Sequence, residues 1–106
     1  MSFKYLQKIP TAEAITQQMP MSAKLIKLKS ARDKDILNVL KGSDHRLLLI
    51  IGPCSADDEE ALCEYTGRLS RLQDKVKDRL ILIPRIYTNK PRTTGAGYKG
   101  MLTQPK

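Results

Sequence analysis

LLLIIGPCSADDEEALCEYTGRLSRLQDKVKDRLILIPRIY, residues 47–87, decides the fold. It opens on Leu47-Leu48-Leu49-Ile50-Ile51, an apolar run closed by Gly52-Pro53. A run this short, with no polar alternation, predicts a strand buried on both faces, as in a parallel sheet. Asp57, Asp58, Glu59 and Glu60 then cluster where a helix dipole favours negative charge. Asp57 and Glu60 have the spacing of a capping box. Leu62, Tyr65, Leu69, Leu72 and Val76 recur at helical spacing, and Lys75 and Lys77 stand near the end. Leu80-Ile81-Leu82-Ile83 predicts a second buried strand running on toward Tyr87. Pro84 has no N–H to give a ladder, so it marks that strand's end or a bulge. Strand, helix and strand in this order imply a parallel pair with a right-handed crossover, an α/β fold.

Before this unit, Ser30 to Leu40 reads as a helix. Ser30 is its expected cap, Asp33 sits at the third helical position, and Ile36, Leu37 and Leu40 form the apolar face. Gly42 is the expected stop. Residues 1–35 read as an N-terminal extension. Within it Thr11 can cap a short helix, and Lys24, Lys27 and Lys29 alternate with Leu25, Ile26 and Leu28 as in a short strand or an arm. After the unit, residues 89–106 hold three Gly and two Pro and show no helix to cover the second strand. Two parallel strands alone leave edges and faces uncovered. The expectation is therefore the N-terminal part of a larger α/β barrel.

The composition narrows the function. The chain has 106 residues, 41% of them hydrophobic, which suits one small globular domain rather than a disordered chain. No apolar run nears the roughly 20 residues that span a bilayer, and no apolar segment follows Met1-Ser2-Phe3-Lys4-Tyr5 as in a secretory signal. A soluble cytoplasmic protein is expected, with Cys54 and Cys63 reduced. The net charge is +8, and from Arg79 onward there are six basic residues and no acidic one. That asymmetry calls for an anion. Only Tyr87 and Tyr98 are interleaved aromatics, too few for a base-stacking surface, so a small basic nucleic-acid- or anion-binding module is the weaker alternative.

Two segments carry chemistry. Gly52-Pro53-Cys54-Ser55 follows a strand, where α/β folds build their sites. Cys54 there is either a metal ligand or nucleophile or a small packed residue at a turn; position alone leans to the packed residue. Cys63, beside Leu62 on the helix, reads as packing. Arg85 and the loop Lys90-Pro91-Arg92-Thr93-Thr94 follow the second strand. Arg offers a planar fork, Lys a point charge, Thr hydroxyls, and Pro91 a stiff backbone, a set suited to a small doubly charged anion. A solvated basic loop is the plainer reading of a generic basic run, but the position at a strand end shifts the balance toward an anion site. Gly95 to Gly100 lacks the ending of a phosphate-binding loop and reads as a connection. His45 stands at the far end of its strand from Cys54.

Gly52-Pro53-Cys54-Ser55, Arg85-Ile86-Tyr87, Lys90-Pro91-Arg92-Thr93-Thr94 and Tyr98-Lys99-Gly100, with Leu40-Lys41-Gly42-Ser43-Asp44 and Arg46-Leu47, together resemble the class I 3-deoxy-D-arabino-heptulosonate 7-phosphate (DAHP) synthases over residues 36–100. The resemblance implies a (β/α)₈ TIM barrel behind an N-terminal extension, of which residues 36–106 would give the first β-α-β unit and the following loop. It implies condensation of phosphoenolpyruvate with erythrose 4-phosphate at the entry to the shikimate pathway. It also implies a divalent metal (Mn²⁺, Fe²⁺, Co²⁺ or Zn²⁺), with Cys54 as one ligand and a His, a Glu and an Asp from later strands as the others. Arg85 and Lys90 would contact phosphoenolpyruvate, and Pro91, Arg92 and Thr93 would line the erythrose 4-phosphate site. A homo-oligomer with an aromatic amino acid effector is implied as well. Ala56-Asp57 replaces the Ile-His usual in many members, Pro84 stands where a non-proline is typical, and one residue is added between Thr94 and Tyr98. A barrel of this kind takes about 250 residues, so the isolated chain is expected to be inactive.

Overall fold

The computed structural model describes residues 4–89 and 96–97. The chain divides into two compact units, Met1–Lys34 and Asp35–Lys106. In the first, α1 (Ala12–Gln18) starts where the Thr11 hydroxyl accepts the Ala14 N–H at 3.1 Å, as its sequence predicts. The next helix, α2 (Ala23–Leu40), runs from the first unit into the second.

The start of α2 corrects the sequence reading. Lys24 to Lys29 is neither strand nor arm, and Ser30 is not a cap. Ser22 does that work: its hydroxyl accepts the Leu25 N–H at 3.2 Å and its carbonyl the Ile26 N–H at 3.0 Å. Leu, Lys and Ala are strong helix formers, and their propensity carries the helix back past Ser30. Asp33, instead of capping, pairs with Lys29 one turn earlier. The other end is as expected. Gly42 takes φ +80°, its N–H donates to the Val39 carbonyl at 3.1 Å, and the Ser43 N–H donates to the Asn38 carbonyl at 2.9 Å. This is a Schellman stop, which needs a residue free to adopt a left-handed conformation.

In the second unit, β1 (Leu47–Ile51), α3 (Glu59–Val76) and β2 (Leu80–Pro84) follow in order. The strands pair in parallel, with Leu47 opposite Leu80 and Ile51 opposite Pro84. The predicted parallel βαβ unit is present. The cap of α3 is Asp58, one residue later than expected, its carboxylate accepting the Ala61 N–H at 2.9 Å. Glu59 and Glu60 occupy the first turn and Lys75 the last. β2 stops at Pro84 and does not reach Tyr87.

The expectation that β1 is buried on both faces fails. Leu47 is 68% exposed and Ile50 66%. β2 is the protected strand, since α3 packs chiefly on it and Ile81 is 2% exposed. Cys63 is likewise exposed rather than packed. One residue beyond Leu62 on a helix is about 100° around the axis, enough to turn it out to solvent.

Two polar arrangements hold the unit together. Gln73, on α3, is buried. Its side-chain amide donates to the Leu80 carbonyl at 2.9 Å, and its carbonyl accepts the Leu82 N–H at 2.7 Å. The Leu47 N–H reaches the Arg79 carbonyl and the Arg85 N–H the Ile51 carbonyl, so odd-numbered residues of this stretch face β1. Leu80 and Leu82 therefore present their backbone groups to the opposite edge of β2, and Gln73 occupies that edge. Arg46 forms the second arrangement. It donates to both Asp44 oxygens, at 2.7 Å from Nη2, donates to the Lys77 carbonyl at 3.2 Å, and lies 3.6 Å from Asp35. It joins the end of α2, the loop before β1 and the turn before β2. Asp44 accepts from both the side chain and the backbone of Arg46, and these bonds lower its pKa to about 2.

Candidate functional site

Parallel pairing brings the ends of β1 and β2 to one rim, and the segments that leave them are stitched together there. The Arg85 N–H donates to the Ile51 carbonyl at 2.9 Å. Gly52 follows at a point of very close approach: a Cβ on it would lie 2.0 Å from the Arg85 carbonyl oxygen. Only glycine allows that contact. The Arg85 guanidinium then turns to the loop, Nη2 donating to the Pro53 carbonyl at 2.9 Å. Two residues past Cys54, the Ala56 N–H donates to the Tyr87 carbonyl at 3.0 Å. Ala56 is 1% exposed, so the small residue at that position is packed.

Cys54 is exposed on this stitched loop, so it is not the packed turn residue that position alone favoured. Beside it, Arg85 sits over the Tyr87 ring, its guanidinium carbon 5.1 Å from the centroid. A cation over an aromatic face at that range is attracted by the ring quadrupole. An exposed thiol and an oriented guanidinium thus share one rim. On the α3 side of the loop, Pro53, Ser55, Asp57, Asp58, Ala61 and their neighbours line a cavity of about 160 Å³. His45 borders a separate cavity with Lys75 and Arg79 at the other ends of the strands.

Lys90, Pro91, Arg92 and Thr93, the other expected site residues, lie outside the described residues. Sequence reasoning missed the stitching itself. Ala56 and Tyr87 carried no signal, because their bond is between backbone groups. Gly52 was legible as a strand end and as the first residue of the Gly52-Pro53-Cys54-Ser55 motif, but the Arg85 carbonyl beneath it, which requires glycine, was not. Among the described residues no group of three or more His, Cys, Asp or Glu side chains is placed to hold a metal ion. One thiol is a single donor where a structural or catalytic zinc takes three or four from protein, so Cys54 alone does not make a metal centre. Among the described residues no helix is long and apolar enough to cross a membrane.

Residues 14–106 match the model of the DAHP synthetase I family. The chain is 41% identical over 92 residues to the phospho-2-dehydro-3-deoxyheptonate aldolase of Haemophilus influenzae, covering 87% of this chain and 25% of that protein. It is 37% identical over 102 residues to the Phe-sensitive enzyme of that name from Escherichia coli K12, covering 96% of this chain and 29% of the relative. The solved structure of the Francisella tularensis phospho-2-dehydro-3-deoxyheptonate aldolase superposes with a TM-score of 0.85 at 31% identity, over 98% of this chain and 30% of the other. The chain thus spans between a quarter and a third of the length of these relatives. With the family's match running through the glycine turn, the exposed thiol and the oriented arginine, the chain belongs to the DAHP synthetase I family.

Proposed function

We propose that this chain supplies the first βαβ unit of a (β/α)₈ barrel that acts as a 3-deoxy-7-phosphoheptulonate synthase. That enzyme is a transferase joining phosphoenolpyruvate, erythrose 4-phosphate and water in an aldol-type condensation that yields DAHP and phosphate, the first step toward chorismate and the aromatic amino acids. The observation that carries the reading is the Arg85 guanidinium held beside the Cys54 loop at the ends of two parallel strands. Phosphoenolpyruvate carries a phosphate and a carboxylate, and a planar guanidinium matches either one through two parallel N–H bonds. Lys90 adds a point charge to the same substrate. Pro91, Arg92 and Thr93 serve erythrose 4-phosphate. Cys54 gives one thiolate to a divalent metal whose remaining donors come from outside the described residues.

The chain's own part in the chemistry is to bind and orient. Arg85 fixes the anion's position relative to the thiol loop, which its side chain and two backbone bonds hold at the rim. The same reading makes the working enzyme a cytoplasmic homo-oligomer. The E. coli relative is named for its sensitivity to Phe, which supports an aromatic amino acid as effector.

The test is a phosphate-release assay with both substrates and Mn²⁺. The chain alone is expected to show no turnover. Joined to the remaining length of a relative, it is expected to turn over, and Cys54→Ala or Arg85→Ala to lower kcat/KM by at least about 10²-fold. Full activity in either joined variant would overturn the reading. The net charge of +8 favours a second reading, a basic module for nucleic acid. Counterion release would make such binding fall steeply with salt, and no gel shift with duplex or single strands at low salt discards it.

A further inference from the structure

We propose that Arg85 is also a positioning residue for the Cys54 loop, so that an anion held by its guanidinium is felt at the thiol. The inference rests on the anion-binding reading of Arg85 given above. Cys54 and Ser55 are the two residues spanned between two anchors, the Pro53 carbonyl and the Ala56 N–H. Both anchors are held by the segment 85–87, the first by the Arg85 side chain and the second by the Tyr87 carbonyl. Only the first depends on a side chain.

That side chain suits a double task. A guanidinium has five N–H donors in one plane. One of them is spent on Pro53, and the Tyr87 ring attracts the cation from 5.1 Å, so the guanidinium has two partners already. Among the described residues no hydrogen-bond partner stands against the other donors, which can take a phosphate or carboxylate edge. An anion bound there restricts the guanidinium further, and a restricted donor gives up less entropy in holding the Pro53 carbonyl. The anchor therefore tightens when the anion binds. Lysine cannot reproduce this, because an ammonium is a point charge with no plane to fix.

The experiment follows backbone amide exchange in the 106-residue chain and its Arg85→Lys and Arg85→Ala variants, with and without inorganic phosphate. Phosphate binding is recorded separately by calorimetry, and the Leu69 amide inside α3 reports whether each variant is folded. Both variants are expected to speed Ala56 exchange about tenfold, the scale of one charge-assisted hydrogen bond, and to leave Leu69 unchanged. Phosphate is expected to slow Ala56 exchange in the parent and in neither variant. Unchanged Ala56 exchange in both variants overturns the positioning role. If phosphate binds the parent without slowing Ala56, the coupling is wrong and the anion reading stands. If phosphate does not bind, the anion reading fails and the coupling falls with it, while the variants still decide whether Arg85 anchors the loop.

Discussion

Gly52 and Gly42 show how differently one residue type is required. At Gly42 the requirement is the left-handed backbone alone, since nothing lies within 4 Å of a built Cβ. Gly42→Ala should cost about 1 kcal/mol of unfolding free energy. At Gly52 the obstacle is a backbone oxygen of the neighbouring strand's exit, which cannot rotate away. Gly52→Ala should cost about 3 kcal/mol, the upper range for overpacking, and should separate the two strand ends. Urea unfolding of both variants checks the ranking; equal losses would mean that the Gly52 contact relaxes freely. Asp44 gives a residue-scale prediction in pH. Its folded pKa, about 2, lies below the ordinary 3.8, so the unfolded chain binds protons first as pH falls. The stabilisation it brings is therefore present above pH 3.8 and is lost between there and about 2. In Asp44→Asn that part of the acid limb disappears, which denaturant titrations at successive pH values will show.

At the scale of elements, Gln73 makes the case for a side chain standing in for a strand. β2 has its Leu80 and Leu82 backbone groups on the edge away from β1, and both are satisfied by one amide. Pro84 lies on the same edge and has no N–H to offer. Gln73→Leu keeps the volume but leaves a buried donor and acceptor unpaired, for a loss of about 2–3 kcal/mol, and the Leu82 amide should then exchange freely with solvent. If Leu82 stays protected in that variant, another group covers the edge. This device was not legible in the sequence, because its targets lie seven and nine residues away on another element. What could be read was decided over short distances. Thr11 and Gly42 act within one helical turn of themselves, and both were identified; the cap of α3 was misplaced by one residue because Asp57 and Asp58 are chemically equal candidates. α2 was misjudged for the opposite reason: Ser22 and Ser30 both precede helix formers, and only propensity summed over Lys24 to Lys29 chooses between them. At the site, the residues of the thiol turn and Arg85 were visible as motifs, while the bonds joining them, two of them purely backbone, were not.

Across the whole molecule, burial is thin and uneven. Ala56 and Ile81 are the fully buried apolar residues among those described, and β1 shows Leu47 and Ile50 to solvent on opposite faces. A parallel strand exposed on both faces, with one edge unpaired among the described residues, is a template for association. Since Leu47 and Ile50 contribute so little burial, replacing both by Lys should change unfolding free energy by no more than about 0.5 kcal/mol. The same pair should govern self-association, because charge on an edge strand opposes pairing with another chain. The parent chain is then expected to associate with rising concentration in sedimentation velocity and to bind a hydrophobic dye, and Leu47→Lys/Ile50→Lys to stay monomeric with little dye bound. Ile81→Ala serves as the contrast. It removes packing from the protected strand, so it should cost about 2–4 kcal/mol without relieving association. If the double Lys variant associates as the parent does, β1 is not the adhesive surface, and the exposed Leu25, Ile26 and Leu28 of α2 become the next to test.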